Sequence, residues 1–345
     1  MAHFGTGHTG MVVLRQLLQR DDLELVGHLV HSPDKVGKDS GVLAGGDPVG
    51  VTATDDFGAF CALDADCVTY LATDFGRPID EVIDQMCLLL AAGKNIVTTT
   101  FVRLVYAPSL DPETLEKLQS ACTTGQSSFF GTGVSPGFTV DALPTYCASL
   151  CAAPGQVRVA ERILQGTYED PLSFAALGFG RVPDGDLTNI PADHWAPHFA
   201  GTMAMLADGF GWQLDEVLGY QDLALADRDY ESAAGSIRQG TVGSVRLRFE
   251  GWVDGEPRLL LSWIYTMPDD LRDGWAPPLP RESAARRFTH ITIDADPEIA
   301  VTVELTGGEL PGVTATASRA VNAIPAVCRA APTVHTALDL VITPA

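Results

Sequence analysis

Two hydrophobic rhythms divide this chain. Up to about residue 133, short apolar runs alternate with stretches of helical period, and beyond it apolar positions recur at every second residue. The first rhythm begins at residues 12–18, where Val12, Val13, Leu17 and Leu18 have helical spacing. An apolar run over 23–30 predicts a strand, and so does a run over 67–72. Ile79, Val82, Ile83, Met86 and Leu89 mark the apolar side of a helix over 79–92, closed by Gly93. Residues 96–100 are β-branched and predict a strand. Asp111 as N-cap and Pro112 at the first helical position open a helix over 112–122, and 128–131 predicts a further short strand. Strands that alternate with helices imply a parallel, doubly wound sheet.

The second rhythm follows a predicted helix over 141–150. Period-2 segments run over 157–164, 241–252, 259–265, 288–293 and 299–305. Val245, Leu247 and Phe249 alternate with Arg246, Arg248 and Glu250, and residues 251–255 join two segments as a hairpin-like connection. Adjacent strands without intervening helices predict a mixed or antiparallel sheet, one face in a core and one open to a ligand or a partner. Helices are predicted over 198–210, 214–218 and 321–331, and a proline-rich surface loop over 267–280.

Composition narrows the class. A length of 345 residues suggests two domains, and a chain that is 46% hydrophobic and 19% charged can bury two cores. The formal net charge of -22 argues against nucleic acid and anionic membranes as partners, since both want a basic face. Apolar stretches fall short of the roughly 18–20 residues of a membrane span, and no secretory signal pattern is present, so a cytoplasmic location is expected. The seven cysteines are odd in number and include no C-x-x-C pair. Cys147 and Cys151 share a helix face and read as small core residues, not as metal ligands; no metal is expected. Reduced thiols fit a cytosolic compartment.

Chemistry concentrates near the start of the chain. Gly5, Thr6, Gly7, His8, Thr9 and Gly10 form a G-x-G-x-x-G loop between a very short first strand and the first helix. One glycine makes the tight turn, the second lets backbone approach a pyrophosphate, and the third lets helix pack on sheet. The free N–H groups at the helix start then hold the phosphates. At the end of the second strand no carboxylate stands ready for ribose hydroxyls. His31, Ser32 and Lys35 occupy that position, with Lys38 beyond. Such residues suit the dianionic 2′-phosphate, so NADP(H) is the expected cofactor. NAD(H) is the alternative, with Asp34 serving the ribose. Ala72, Thr73 and Phe75 follow the next strand and Thr99 closes the one after, where residues face the cofactor in this fold.

Two further segments carry a resemblance: Gly-Thr-Gly-Val-Ser-Pro-Gly-Phe at 131–138 and Ala-Val-Asn-Ala-Ile-Pro at 320–325. With the glycine loop and Val-His-Ser-Pro-Asp-Lys-Val-Gly at 30–37, they resemble the dihydrodipicolinate reductase-like superfamily. The nearest branch holds 2,4-diaminopentanoate dehydrogenases and native amine dehydrogenases. The resemblance implies an α/β fold with an N-terminal Rossmann domain over 1–133. It also implies a substrate and dimerisation domain with an open mixed sheet over 134–318, a C-terminal helix over 319–345 returning to the cofactor domain, and a homodimer. It places Ser135 beside the nicotinamide and Asn322 near its carboxamide. Relatives commonly carry Asn where Ser135 stands, and amine dehydrogenases are expected to place a catalytic Glu just after the strand over 96–100. Here that stretch reads Phe-Val-Arg-Leu-Val-Tyr at 101–106, without a carboxylate.

Four residues are candidates for catalysis. Tyr106 follows the strand that ends at the nicotinamide and is a candidate proton donor, or else a core or rim tyrosine. Asp141 is a candidate carboxylate, or else an ordinary acidic residue at a helix start. Tyr168 follows a strand of the second domain. His194, with Trp195 and His198, is a candidate pocket residue that titrates near neutral pH. The expected activity is hydride transfer to or from a small amine or imine. The alternatives are a carbonyl reductase on the same scaffold and an NADP-binding sensor without turnover.

Overall fold

The computed structural model describes residues 1–72, 76–169, 171–192, 194–267, 274–275, 287–308 and 310–344. The chain forms two units, Met1–Phe138 with Val313–Ala345, and Thr139–Gly312.

The first unit is built on a parallel sheet. Its strands are β1 (Ala2–Phe4), β2 (Gly27–Leu29), β3 (Ala53–Thr54), β4 (Cys67–Tyr70), β5 (Asn95–Thr98) and β6 (Phe129–Gly131), with Val334–His335 added at the β6 edge. The order β3-β2-β1-β4-β5-β6 is that of a doubly wound dinucleotide-binding sheet. Its helices are α1 (His8–Leu18), α2 (Ser40–Leu43), α3 (Phe57–Cys61), α4 (Ile79–Ala91) and α5 (Pro112–Gly125). β1 has three residues and still serves as a central strand, because it pairs on both flanks. Ala2 lies opposite Gly27 and Val68, His3 opposite His28 and Thr69, and Phe4 opposite Leu29 and Tyr70. One face buries Phe4, Phe60 and Tyr70, with Phe4 edge-on to Tyr70 at 4.7 Å between ring centroids. Each such side chain contributes roughly 1.5–3 kcal/mol by leaving water. α1 covers the opposite face with Gly10, Val13, Leu14 and Leu17, the i, i+3, i+4, i+7 stripe of an amphipathic helix. Asp111 caps α5 by accepting from the Thr114 amide at 2.9 Å, with Pro112 next to it, as the sequence predicts. The apolar run over 23–30 gives the ladder only Gly27–Leu29; Val26 spends its amide on the carbonyl of Met1, ahead of the first paired residue.

The second unit carries a mixed sheet in the order β15-β14-β7-β13-β12-β9-β8. These strands are β7 (Gln156–Leu164), β8 (Ile190–Pro191), β9 (Glu216–Leu225), β12 (Val242–Val253), β13 (Glu256–Thr266), β14 (Arg287–Asp294) and β15 (Ile299–Leu305). A separate ribbon pairs β10 (Tyr230–Ser232) with β11 (Gly235–Ile237). β7 and β13 run parallel and the other neighbours antiparallel. β12 keeps the predicted alternation: Val245, Leu247 and Phe249 are buried, while Arg246, Arg248 and Glu250 face the other side. Asp254 and Gly255, both at positive φ, form the two-residue turn into β13. The buried face packs on α6 (Ala142–Ala148) and α8 (Ala196–Gly209), where Phe199 stacks on Trp263 at 4.0 Å. A third helix, α7 (Pro171–Leu177), follows β7.

One predicted element is overturned. Residues 214–218 are not helical: from Glu216 they belong to β9, with Val217 opposite Gly251 and Leu218 opposite Glu250. Five residues are too few to nucleate a helix, and the long β12 edge offers every backbone group a partner. Among the described residues no helix is long and apolar enough to cross a membrane.

Candidate active site

In the first unit the glycine loop lies where β1 hands over to α1. Gly5 takes φ +125, and a Cβ there would run into the carbonyl of Leu71 at the end of β4. Gly10 faces inward: its Cβ would stand 2.8 Å from the Gly5 carbonyl oxygen. Turn and helix start are thus packed down on the sheet, as a dinucleotide loop needs. Gly7 has open space where a side chain would be, and Gly7 and His8 are exposed. Gly7 is the N-cap of α1 and supplies no side-chain cap. The start of a helix, at the positive end of its dipole, is where a dinucleotide's phosphates bind in this fold.

The residues after β2 gather beside this loop. Lys35, in a 3₁₀ turn over Pro33–Lys35, donates from Nζ to the carbonyl of Thr6 at 3.2 Å. Ser32 is half-buried, and Asp34 and Lys38 are exposed. His31 is exposed with its ring 5.0 Å from that of Phe4, and burial together with the Arg77 charge holds its pKa below the usual histidine value. Arg77 itself donates to Gln85 Oε1 at 2.9 Å.

The ends of β4 and β5 are stitched together. Thr98 donates to the Tyr70 carbonyl at 2.8 Å and Thr100 to the Ala72 carbonyl at 2.7 Å. Ala72 thereby offers the region backbone, not a side chain, whereas Thr99 is half-exposed between two buried threonines. Thr73 and Phe75 lie outside the described residues. Phe101 stands at φ 62, a conformation that costs a non-glycine residue free energy. Tyr106 follows in the turn over Val102–Ser109 and is buried, at 7% exposure. Ser135 is half-buried in the loop after β6.

The C-terminal helix spans Pro311–Arg329. The Oδ1 of Asn322 accepts from Arg20, which follows the far end of α1. The loop after β6 is met by Thr316, whose Oγ1 accepts from the Val134 amide at 3.3 Å, and by Arg319, 4.4 Å from the centroid of the Phe138 ring. Asn322 lies six residues, about 9 Å of helical rise, beyond Thr316.

In the second unit the candidates do not converge. Asp141 is fully buried and caps α6 by accepting from the Ala142 amide at 2.8 Å. His194 is exposed, just ahead of α8. Gly209, at the other end of α8, packs against Thr145 in the first turn of α6. Asp141 and His194 therefore sit at opposite ends of a helix about 20 Å long. Tyr168 is half-buried and belongs to a charged cluster on β7, β13 and β14. There Arg287 donates to the buried Glu161 at 2.7 Å and Thr289 donates at 3.3 Å. Burial, then the Glu161 charge, raises the Tyr265 phenol. The open face of the sheet carries a groove of about 540 Å³ lined by Arg158, Arg246, Arg248, Ser262 and His290. Buried Asp222 holds Arg246 and Arg248, each through Nε at 2.8 Å. Burial alone would raise the Asp222 carboxyl, but the Arg248 bond, the Asn189 amide and both guanidinium charges outweigh it and lower it. Among the described residues no three His, Cys, Asp or Glu side chains are grouped to hold a metal ion.

Comparison with known proteins places this geometry in a family. An amine dehydrogenase from Streptomyces virginiae is 31% identical over 353 aligned positions, covering 99% of this chain and 96% of that one. The chain belongs to the amine dehydrogenase family. A 2,4-diaminopentanoate dehydrogenase from Acetoanaerobium sticklandii is 23% identical, covering 80% of this chain and 74% of that one. Residues 194–345 match the 2,4-diaminopentanoate dehydrogenase C-terminal domain. The fold is that of an amine dehydrogenase from Mycobacterium smegmatis, with a TM-score of 0.70 at 19% identity, covering 99% of this chain and 95% of that one. The resemblance carried by the loop motifs thus holds, and family members are oxidoreductases.

Dehydrogenases of this fold bind nicotinamide dinucleotides. The glycine loop is packed down on the sheet, and Gly7 is the N-cap of α1. Two features escaped the sequence. Arg77 stands near His31, beyond a stretch whose period suggested only a helix start. His3 and His28 lie buried under the loop, in strands too short to show an alternation.

Proposed function

We propose that this member of the amine dehydrogenase family is an NADP(H)-dependent oxidoreductase that interconverts the C–N single bond of a small amine and the corresponding C=N bond. When bound, the nicotinamide supplies the site of hydride donation or acceptance; the protein supplies position and electrostatics. The observation that carries this is the loop itself. Gly5 and Gly10 are packed down on the sheet, Gly7 as N-cap brings no side chain over the start of α1, and Lys35 is anchored on the Thr6 carbonyl. Gly5, Thr6, Gly7, His8, Thr9 and Gly10 would hold the pyrophosphate. Lys35, with Ser32 and His31, would meet the 2′-phosphate. Thr99 and Ser135 would line the nicotinamide end. The first unit would carry the nucleotide, and the second the substrate and the contacts of a homodimer.

The segment after β5 shapes the chemistry. Phe101 to Tyr106 contains no carboxylate to take a proton from ammonium. Reduction of a preformed imine or iminium needs no such base, because the carbon is already electrophilic. Tyr106, Asp141, Tyr168 and His194 remain the candidates for proton handling, each in its own place. Titration of NADPH and NADH by nicotinamide fluorescence tests the cofactor. A panel of cyclic imines, amines, and ketones with and without ammonia tests the substrate class. Tight NADPH binding with imine or amine turnover is expected. Turnover of ketones alone would make the protein a carbonyl reductase, and binding without turnover a sensor.

A further inference from the structure

We infer that the groove on the open face of the mixed sheet is a binding site for a small organic diacid, with a carboxylate or phosphate at each end, held by Arg158 and Arg246. The groove lies wholly in the second unit, and the inference stands apart from the nucleotide reading above.

Strand register builds the groove. β14, β7, β13 and β12 are neighbours, and one row across them reads His290, Ala160, Ser262 and Arg248. The next row reads Thr292, Arg158, Leu260 and Glu250. Residues two apart in a strand share a face, so both rows stand on the same side of the sheet. Ala160 and Ser262 carry the shortest side chains of the two rows. The surface therefore sinks where they meet, and the longer side chains wall it. The enclosed volume is about 540 Å³, which falls in the range of small-molecule sites.

The polar groups around this floor are unevenly committed, and that sets the ligand. Arg248 is spent within the sheet: it donates to Asp222 at 2.8 Å, to Glu250 at 3.4 Å and to Asn189 at 2.5 Å. Arg246 gives only its Nε to Asp222, at 2.8 Å, and its terminal nitrogens have no hydrogen-bond partner among the described residues. Its guanidinium carbon lies 5.0 Å from the centre of the Trp275 ring, a stacking that leaves the in-plane N–H groups available. Arg158 is exposed and makes no hydrogen bond or ion pair among the described residues. The hydroxyls of Ser262 and Thr292 are likewise uncommitted among those residues, and His290 is tied through Nδ1 to Thr302 at 2.8 Å.

The charge balance points the same way. Three arginines face two carboxylates, of which Asp222 is buried and Glu250 is covered by Arg248. The groove thus carries a positive excess on a chain whose formal net charge is -22. A guanidinium fork matches a carboxylate or a phosphate through two parallel hydrogen bonds. Arg158 and Arg246 are two strands and four register positions apart, about 16 Å between Cα atoms, and both border the same groove. A ligand with an acidic group at each end meets both, across the Ala160 and Ser262 floor.

The test uses the full chain at low ionic strength and isothermal titration calorimetry. The probes are the straight-chain dicarboxylates from succinate to suberate and 3-phosphoglycerate, with sulfate as a control for charge alone. At least one probe should bind at a single site about tenfold more tightly than sulfate; the tighter class tells carboxylate from phosphate as the preferred end group. Arg158→Gln removes an exposed side chain and should weaken that probe about tenfold with the unfolding midpoint unchanged. Arg246→Lys keeps the charge, loses the fork and should weaken it similarly. Should Arg246→Lys fail to fold, Arg158→Gln decides the matter alone. Probes that bind no better than sulfate overturn the inference, and so does an Arg158→Gln chain that binds like the parent. Sedimentation of parent and Arg158→Glu chains covers the remaining occupant. An oligomer that Arg158→Glu dissociates, in a chain that takes up no probe, would give the groove to a second copy and overturn the diacid site.

Discussion

The two sheets bury polar side chains on opposite terms. In the strands of the parallel sheet the buried polar residues are His3, His28, Thr69 and Thr98, and burial keeps both imidazoles neutral. In the mixed sheet Glu161, Arg162 and Asp222 are buried, and two of them are ion-paired to Arg287, Arg246 and Arg248. The difference follows from what each sheet presents. The parallel sheet ends under the loop proposed to receive the pyrophosphate; a carboxylate there would repel such a ligand and a fixed cation would compete for it. The mixed sheet has an open face crowded with arginines, and a carboxylate is what keeps them ordered.

The largest effect that would sharpen this contrast is loss of the Asp222 carboxylate. Asp222 is 1% exposed and satisfies two guanidinium groups as well as the Asn189 amide. Asp222→Ala leaves two adjacent cations without their counter-ion and should cost the second unit about 3–5 kcal/mol. Urea unfolding followed by tryptophan fluorescence measures it, since Trp263 lies in that core. Asp222→Asn keeps the shape and the amide contact and should cost less. A drop below about 1 kcal/mol for the alanine variant would mean the network is no better than a surface ion pair.

The same contrast explains what could be read in advance. Gly5 and Gly10 were legible because a turn at positive φ and a helix resting on a carbonyl admit only glycine, whatever the rest of the chain does. The Asp111 cap and the β12 alternation were legible because local geometry fixes them. β9 was not, since its partner β12 is supplied from elsewhere in the chain. Nor was the place of Asn322, which depends on how the C-terminal helix slides along α1. The separation of Asp141 and His194, which share a unit but lie a helix apart, was hidden for the same reason. His3 and His28 look like any polar residues in the sequence and acquire meaning only through register.

A second, smaller effect separates the sheets by pH. The folded pKa values of His3 and His28, about 3 and about 4, lie below the unfolded value of 6.5. Above pH 6.5 neither state binds a proton at these rings, and they contribute no pH dependence. As pH falls through 6.5 toward 4 the unfolded chain takes up protons that the folded chain refuses, so stability is lost. The slope should reach about 1.4 kcal/mol per pH unit for each histidine in that window. Urea midpoints between pH 7.5 and 4.5 would show it, and His28→Leu should remove one histidine's share. A parallel decline in both proteins would place the acid sensitivity in the carboxylates instead.

The smallest expected effect concerns Lys35, which ties the loop to the adenosine side. Its Nζ sits on the Thr6 carbonyl at 3.2 Å, and its charge helps hold His28 neutral. Lys35→Ala should therefore do two things at once. If the ammonium meets a 2′-phosphate, NADPH should bind about tenfold more weakly while NADH changes little, a difference of ~1.4 kcal/mol. Without that neighbouring charge, the His28 pKa should also rise from about 4, which ¹⁵N-imidazole NMR detects directly. Equal weakening of NADPH and NADH would assign Lys35 to the pyrophosphate loop through Thr6, and the choice between the two nucleotides would then fall to His31, Ser32 and Arg77. A His28 pKa that stays fixed would show that burial alone governs the imidazole, and that the parallel sheet keeps its polar pair neutral without help from the lysine.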